Sequence, residues 1–214
     1  MRRRPIIALL GVDGSGKTTQ ARRLAVWLNG QGVPARYFEN AGGRPIWDAL
    51  ARRLDRADGQ ALFGRRAYVA VEASMRWVAV SRALALSWLT GRVAVMDRYA
   101  YCQYAIMRAR GDRGERRVRG AFRRFPAPDL VCYLSVPAGL AQRRVEQRGR
   151  DREELGYLVA FDEAYRSLPE ASSFVVVSAE GSSEDVQTAL RATVLPVLAR
   201  FRGTAGRRPG CDWR

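Results

Sequence analysis

Histidine is absent from this 214-residue chain, lysine occurs once, and cysteine only three times. Without imidazole there is no histidine general base and no histidine metal ligand, which removes the usual neutral-pH acid–base group. Cys102, Cys132 and Cys211 are odd in number and far apart. They show neither zinc spacing nor a disulfide framework, so a reducing, cytoplasmic setting is expected. Long apolar runs are lacking too. The stretch after the first arginines has only about five apolar residues and runs into a glycine-rich turn, so it reads as a strand and not as a signal peptide. The region 77–96 is the most apolar, but Arg82 and Arg92 interrupt it, and no membrane partner is expected.

Negative charge is the scarcer sign, with 21 Asp+Glu against 37 Lys+Arg and a net charge of +16. Such a surface suits polyanions, whether nucleotide phosphates or nucleic acid. Nearly all of the excess is arginine, however, and alanine and glycine are abundant, as in a GC-rich coding bias. Charge by itself therefore does not argue for nucleic acid. The bias gives one sharp signal, because the only lysine is Lys17. A compact ammonium on a flexible stem survives there although arginine is used everywhere else.

The chain is long enough for one domain with a sizeable core, and residues 1–202 are expected to form it. PIIALL (5–10) is a continuous apolar run, as in a strand buried on both faces of a parallel sheet. Further strands are expected at 35–39, 93–97, 130–136 and 174–178. Helical spacing marks 17–28, 46–54, roughly 60–90, 100–110, 115–124, the stretch from Pro137 to Arg148, 155–167, and a last helix capped by Ser182 or Ser183 and ending near Phe201. The segment from Gly203 has no periodicity and reads as a flexible tail. Strands alternating with helices imply an α/β fold with a five-stranded parallel sheet flanked by helices, in three layers.

Residues 11–18, GVDGSGKT, match the phosphate-binding pattern G-x-x-x-x-G-K-[ST] and lie between a buried strand and an amphipathic helix. This is the P-loop NTPase arrangement. Gly11, Gly14, Ser15, Gly16, Lys17, Thr18 and Thr19 are the expected contacts to ATP, with backbone N–H groups around the phosphates. Thr18 offers a hydroxyl to Mg²⁺. VAVMDRY (93–99) ends a buried strand on a carboxylate, so Asp97 is the second metal-organising group. Arg98 is expected between donor and acceptor phosphates. Arg148, Arg150 and Arg152 form a dense basic turn able to stabilise the charge that spreads during phosphoryl transfer.

Several segments together carry a family resemblance: LLGVDGSGKTTQ with Asp13, ENAGGRPI (39–46), Arg76 placed 21 residues before Asp97, DRY (97–99), PDLVCYLSVP with QRRVEQRGRDR, and AYRSL around Tyr165. In these the chain resembles the thymidylate kinases, nucleoside monophosphate kinases, from residue 5 to about 200. The resemblance implies Mg²⁺-dependent transfer from ATP to a nucleoside monophosphate, with dTMP the leading acceptor, and a homodimer. It implies that Asp13 meets the acceptor's sugar hydroxyl or attacking phosphate, that Arg98 meets the acceptor phosphate, and that Arg76 reads the base. Arg144 matches the arginine lying over the adenine, and Arg148, Arg150 and Arg152 fall in a short lid at about 149–155. Tyr99 and Cys102 join the acceptor contacts.

The departures lie on the acceptor side. Asn40 and Ala41 loosen the ENAGGRPI segment. Where the family carries an aromatic residue stacking on the base, this chain has Glu72. The polar groups that read the base after Asp-Arg-Tyr are replaced by the stretch Cys102, Gln103, Tyr104, Ala105, Ile106, Met107. A carboxylate facing the base would favour a donor edge or a cation over a thymine carbonyl. Two other functions therefore stay open: a kinase of the same build acting on another nucleotide, a nucleoside or a specialised metabolite, and a P-loop ATPase binding nucleic acid.

Overall fold

The computed structural model describes residues 4–57, 59–149 and 154–203. Strand β1, Ile6–Leu10, can be apolar at every position because it lies between two neighbours and under two helix layers; all five residues are buried. It pairs in parallel with β3, Val93–Asp97, on one side and with β4, Leu130–Ser135, on the other. Outside these lie β2, Ala35–Glu39, and β5, Val175–Ser178, giving the order β2-β3-β1-β4-β5 with every pair parallel. In such sheets ligands settle at the carboxyl ends of the strands where the winding reverses, here beside β1.

The helices are α1, Lys17–Gly30; α2, Arg44–Arg53; α3, Gly59–Phe63; α4, Arg65–Thr90; α5, Ala100–Ala109; α6, Glu115–Phe122; α7, Ala138–Arg148; α8, Leu155–Arg166; and α9, Ser183–Gly203. A short 3₁₀ turn, Pro169–Ser173, precedes β5. Leu24 and Leu28 of α1, Val80 and Ala83 of α4, Leu158 and Phe161 of α8, and Leu190 and Val194 of α9 pack with β1, β3 and β4 into one core cluster.

The expected elements are all present, with local changes. The long helical stretch from 60 is cut at Gly64, whose φ of 74° and ψ of 152° only glycine adopts readily, so α3 and α4 are separate. Pro137 is the N-cap of α7 and Ala138 its first residue. Of the two candidate serines, Ser182 caps α9: its Oγ accepts from the Asp185 N–H at 3.2 Å, while Asp185 Oδ2 accepts from the Ser182 N–H at 2.9 Å. Pro196 sits inside α9 and removes one helix hydrogen bond. The helix continues past it with Val197 and Leu198 buried. Most of the expected lid, including Arg150 and Arg152, lies outside the described residues, as does the tail beyond Gly203.

Candidate active site

Between β1 and α1 the backbone makes a turn that side chains would prevent. Gly11, Gly14 and Gly16 have φ of 141°, 86° and 88°. A Cβ on Gly14 would stand 2.2 Å from the Ala141 carbonyl oxygen, and one on Gly11 2.7 Å from the Leu134 carbonyl oxygen. These glycines let the loop fold tightly against α7 and β4, so that its N–H groups and the N-terminus of α1 form an anion cradle. Lys17 is buried within it. Its ammonium donates to the Val12 carbonyl at 2.6 Å and to Ser15 Oγ at 3.5 Å, and lies 3.7 Å from Asp13 Oδ1. Burial, aided by the charge of Arg98, pulls the Lys17 pKa below that of an ordinary lysine, against the opposing pull of Asp13 and Asp97.

Thr18 and Asp97 meet as expected. The Thr18 hydroxyl donates to Asp97 Oδ2 at 2.5 Å, and the Tyr37 hydroxyl reaches the same oxygen at 3.3 Å. Asp97 Oδ1 is buried without a partner among the described residues. A buried orphan carboxylate oxygen beside a hydroxyl fits a hard divalent cation, which takes oxygen ligands and completes its shell with phosphate and water.

Arg98 follows Asp97 at φ 74°, a left-handed conformation that costs a non-glycine residue about 1–3 kcal/mol. It is held there from both sides. Its N–H donates to the Leu9 carbonyl at 3.1 Å, and its carbonyl accepts from Asn40 Nδ2 at 2.8 Å. The guanidinium then reaches Asp13 Oδ1 at 2.5 Å and Cys102 Sγ at 3.5 Å. Burial opposes the charge of Arg98, but Asp13, Cys102 and Asp97 together more than offset it. For Cys102 burial works upward, while Arg76 and then Arg98 bring the thiol pKa below its ordinary value.

Beyond Cys102 a second set of polar groups is assembled from three segments. Arg76 on α4 is almost fully buried; its Nε donates to Gln103 Oε1 and its Nη1 to the Asn40 carbonyl, each at 3.0 Å. Gly42 lies so close that a Cβ there would be 2.6 Å from Glu72 Cγ and 2.8 Å from Arg76 Nη2. Glu72 is buried and paired at 2.8 Å with Arg110 at the end of α5. Glu72, expected to face the base, is thus not a bare carboxylate: its charge is matched by a guanidinium. Burial weakens the charged form of Arg110, and Glu72, with Tyr157 and Tyr68, more than restores it.

The other site residues are placed as follows. The Tyr99 hydroxyl donates to the Pro126 carbonyl at 2.6 Å. With Tyr101, Tyr104, Arg119 and Phe125, Tyr99 lines a cavity of about 530 Å³ that shares no lining residue with the P-loop, so Tyr99 braces the loop after Asp97 from behind. Arg144 donates to the carbonyls of Ala179 at 2.8 Å and Glu180 at 3.4 Å, joining α7 to the loop after β5. Arg148 is exposed at the end of α7. Asn40, Gln103 and Arg110 join these polar groups without belonging to any motif. Asn40 and Gln103 stand in the sequence as departures, and Arg110 is one arginine among many.

A phosphate cradle, a Thr–Asp pair suited to a cation and an arginine facing a second set of polar groups define a P-loop phosphotransferase. The thymidylate kinase family model matches residues 10–190. The chain is 33% identical to the thymidylate kinase of Symbiobacterium thermophilum, over 95% of this chain and 98% of that protein. It is 26% identical to the thymidylate kinase of Chromohalobacter salexigens over 91% and 97%, and 32% identical to a probable thymidylate kinase of Pyrococcus abyssi over 69% and 72%. This chain belongs to the thymidylate kinase family.

Proposed function

We propose that the protein transfers the terminal phosphoryl group of ATP to dTMP. The observation that carries this reading is the position of Arg98. Its guanidinium touches Asp13 of the P-loop on one side and Cys102, next to the Arg76–Gln103 pair, on the other. A donor phosphate in the cradle and an acceptor phosphate beside Cys102 would both lie within its reach. In the reaction an acceptor phosphate oxygen bonds to the γ-phosphorus, the bond from that phosphorus to the β,γ-bridging oxygen breaks, and ADP leaves. Lys17 and Arg98 hold the negative charge spread over the moving group, which is the main work in this chemistry. Arg148, with Arg150 and Arg152, would add charge from the lid, and Arg144 would flank the adenine. Mg²⁺, held by Thr18 and Asp97, would neutralise charge on the donor phosphates.

The pairing of Glu72 with Arg110 removes the main physical objection to a thymine ring, so dTMP is preferred over the other acceptors. A coupled ADP-release assay with ATP–Mg²⁺ and dTMP, dUMP, dCMP, dGMP and CMP side by side tests this. Turnover fastest on dTMP is expected. Turnover confined to another acceptor, or ADP release that no monophosphate accelerates, overturns it.

We also read residues 1–202 as one kinase domain acting in the cytoplasm. The buried free thiols of Cys102 and Cys132 suit a reducing setting, and no helix among the described residues is long and apolar enough to cross a membrane. Val78, Trp88 and Leu89 leave large apolar side chains exposed along α4, by 60%, 59% and 62%. Such a stripe favours a homodimer through α4, which sedimentation of the purified protein would test; a monomer at all concentrations would exclude it.

A further inference from the structure

We propose that Arg110 contacts the ring of the acceptor and sets its position, with Glu72 acting through Arg110 by fixing its guanidinium. The inference rests on the acceptor reading above and adds a specificity-determining residue to it.

The pair stands where a structural role explains little. Glu72 is 2% exposed in the middle of α4. A buried ion pair adds little stability over well-packed apolar residues of the same size, so its presence here calls for another reason. One turn along α4, the groups around Arg76 include polar atoms left without partners. Gln103 uses only its Oε1, taken by Arg76, and its Nε2 is buried without a partner among the described residues. Asn40 uses its Nδ2 on the Arg98 carbonyl, and its Oδ1 is likewise buried without a partner. Buried polar groups are rarely left unsatisfied unless a ligand or water completes them. Two such atoms around Arg76 mark a pocket built to receive polar edges.

Arg110 is suited to close that pocket. Of its donors only Nη1 is engaged, on Glu72, leaving Nε and Nη2 without a partner among the described residues. Its side chain keeps 18% of its surface exposed, and its Cζ lies 5.8 Å from the centre of the Tyr68 ring. A guanidinium is planar and stacks on ring faces, and it donates to carbonyl oxygens from its edge. Position agrees as well. Along α5, eight residues separate Cys102, beside Arg98, from Arg110, a rise of about 12 Å, with Gln103 between them. Across from these on α4, Arg76 and Glu72 are one turn apart. The phosphate end is thus at Arg98, a middle station at Arg76 and Gln103, and the far end at the neutral Glu72–Arg110 pair. Arg76 and Arg110 present only donors. The acceptor class this describes is a nucleoside monophosphate with an uncharged, carbonyl-bearing pyrimidine ring, in preference to one presenting an amino group at the same edge.

The test compares full-length wild type with Arg110→Met, Arg110→Lys, Glu72→Gln and the double variant Glu72→Leu/Arg110→Met. Measured for each are kcat and KM for dTMP, dUMP and dCMP at saturating ATP, the ATP KM, dTMP binding without ATP, and the melting temperature. Arg110→Met should raise the dTMP KM by at least about tenfold, with kcat within about threefold and the ATP KM unchanged, since it removes binding and not chemistry. The preference for dTMP and dUMP over dCMP should shrink in step. Glu72→Gln should raise KM less, and Arg110→Lys should not rescue it. The double variant, with no buried unpaired charge, should keep the melting temperature near wild type and still show the full rise in KM. A double variant that is stable and has a wild-type dTMP KM overturns the proposal and leaves the pair purely structural. A wild type active on no monophosphate removes the acceptor reading itself, a result visible before any variant is made.

Discussion

The two halves of the site are built from different materials. The half we propose for the donor is backbone: a run of eight consecutive residues, 11–18, in which three glycines adopt positive φ and leave N–H groups to face an anion. The half we propose for the acceptor is side chain, with Asn40 after β2, Glu72 and Arg76 from α4, and Gln103 and Arg110 at α5, joined only by folding. A backbone cradle recognises what all nucleoside triphosphates share, and it tolerates little change. A side-chain pocket can be rebuilt residue by residue while the phosphate chemistry is kept.

The largest test of that division is Lys17→Ala. Lys17 sits in a preformed cradle and, in the proposed reaction, serves the transferring phosphoryl group; loss of one such electrostatic contact costs about 10²–10³ in kcat. We expect that loss with the acceptor KM changed less than threefold and the fold intact by circular dichroism. Near-wild-type turnover would mean that the cradle is not the donor site. Next in size is Asp97→Asn. The amide keeps the shape but removes the charge beside Thr18 and Tyr37, so the Mg²⁺ concentration for half-maximal rate should rise about ten- to a hundredfold. An unchanged metal titration would take Asp97 out of the metal shell.

The same division decides what can be read before folding. The P-loop was legible because its residues are contiguous and each position has a steric or electrostatic reason. The sole lysine at its required place made the signal stronger still. The sheet was legible because buried parallel strands are short apolar runs, such as Ile6–Leu10 and Val93–Asp97. The long helix could not be divided from periodicity alone, since Gly64 interrupts the backbone without interrupting the apolar pattern. Glu72 was legible as a departure and not as half of a pair. Its partner Arg110 is 38 residues away in a chain where arginine is the default cation, so nothing in the sequence sets that arginine apart. Asn40 likewise gains its meaning from contacts with Arg98 and Arg76 that only the sheet edge brings together.

Acceptor-side changes should be smaller in kcat and larger in KM. Arg76→Ala removes the guanidinium that holds Gln103 and the Asn40 carbonyl. We expect an acceptor KM raised about tenfold or more, and a stability loss of about 1–3 kcal/mol from the acceptors left unpaired. Steady-state kinetics with each substrate varied in turn check this; an effect confined to ATP would place Arg76 in the wrong half. Gly42→Ala should act in the same direction and more weakly, because its Cβ would press on Glu72 Cγ and Arg76 Nη2, which must shift.

The smallest effect separates the halves by titration. The pKa of Lys17 is lowered on folding from its ordinary 10.5, chiefly by burial. Below the folded pKa, the folded state bears the full cost of a buried ammonium. Between the folded value and 10.5 the unfolded chain binds more protons than the folded one, so the Lys17 contribution to stability rises with pH. Above 10.5 the cost is gone. Lys17→Met removes the group and the cost together. Without nucleotide, that variant should therefore be more stable than wild type near neutral pH, and the gap should close as pH rises toward 10.5. Arg76→Met serves as the control, a buried cation removed from the other half, and its stability difference from wild type should stay level. Urea unfolding of the three proteins at matched pH values measures both differences. A wild-type–Lys17→Met gap that does not change with pH would mean that the ammonium is solvated in the free enzyme and that the cradle closes around it only with phosphate bound.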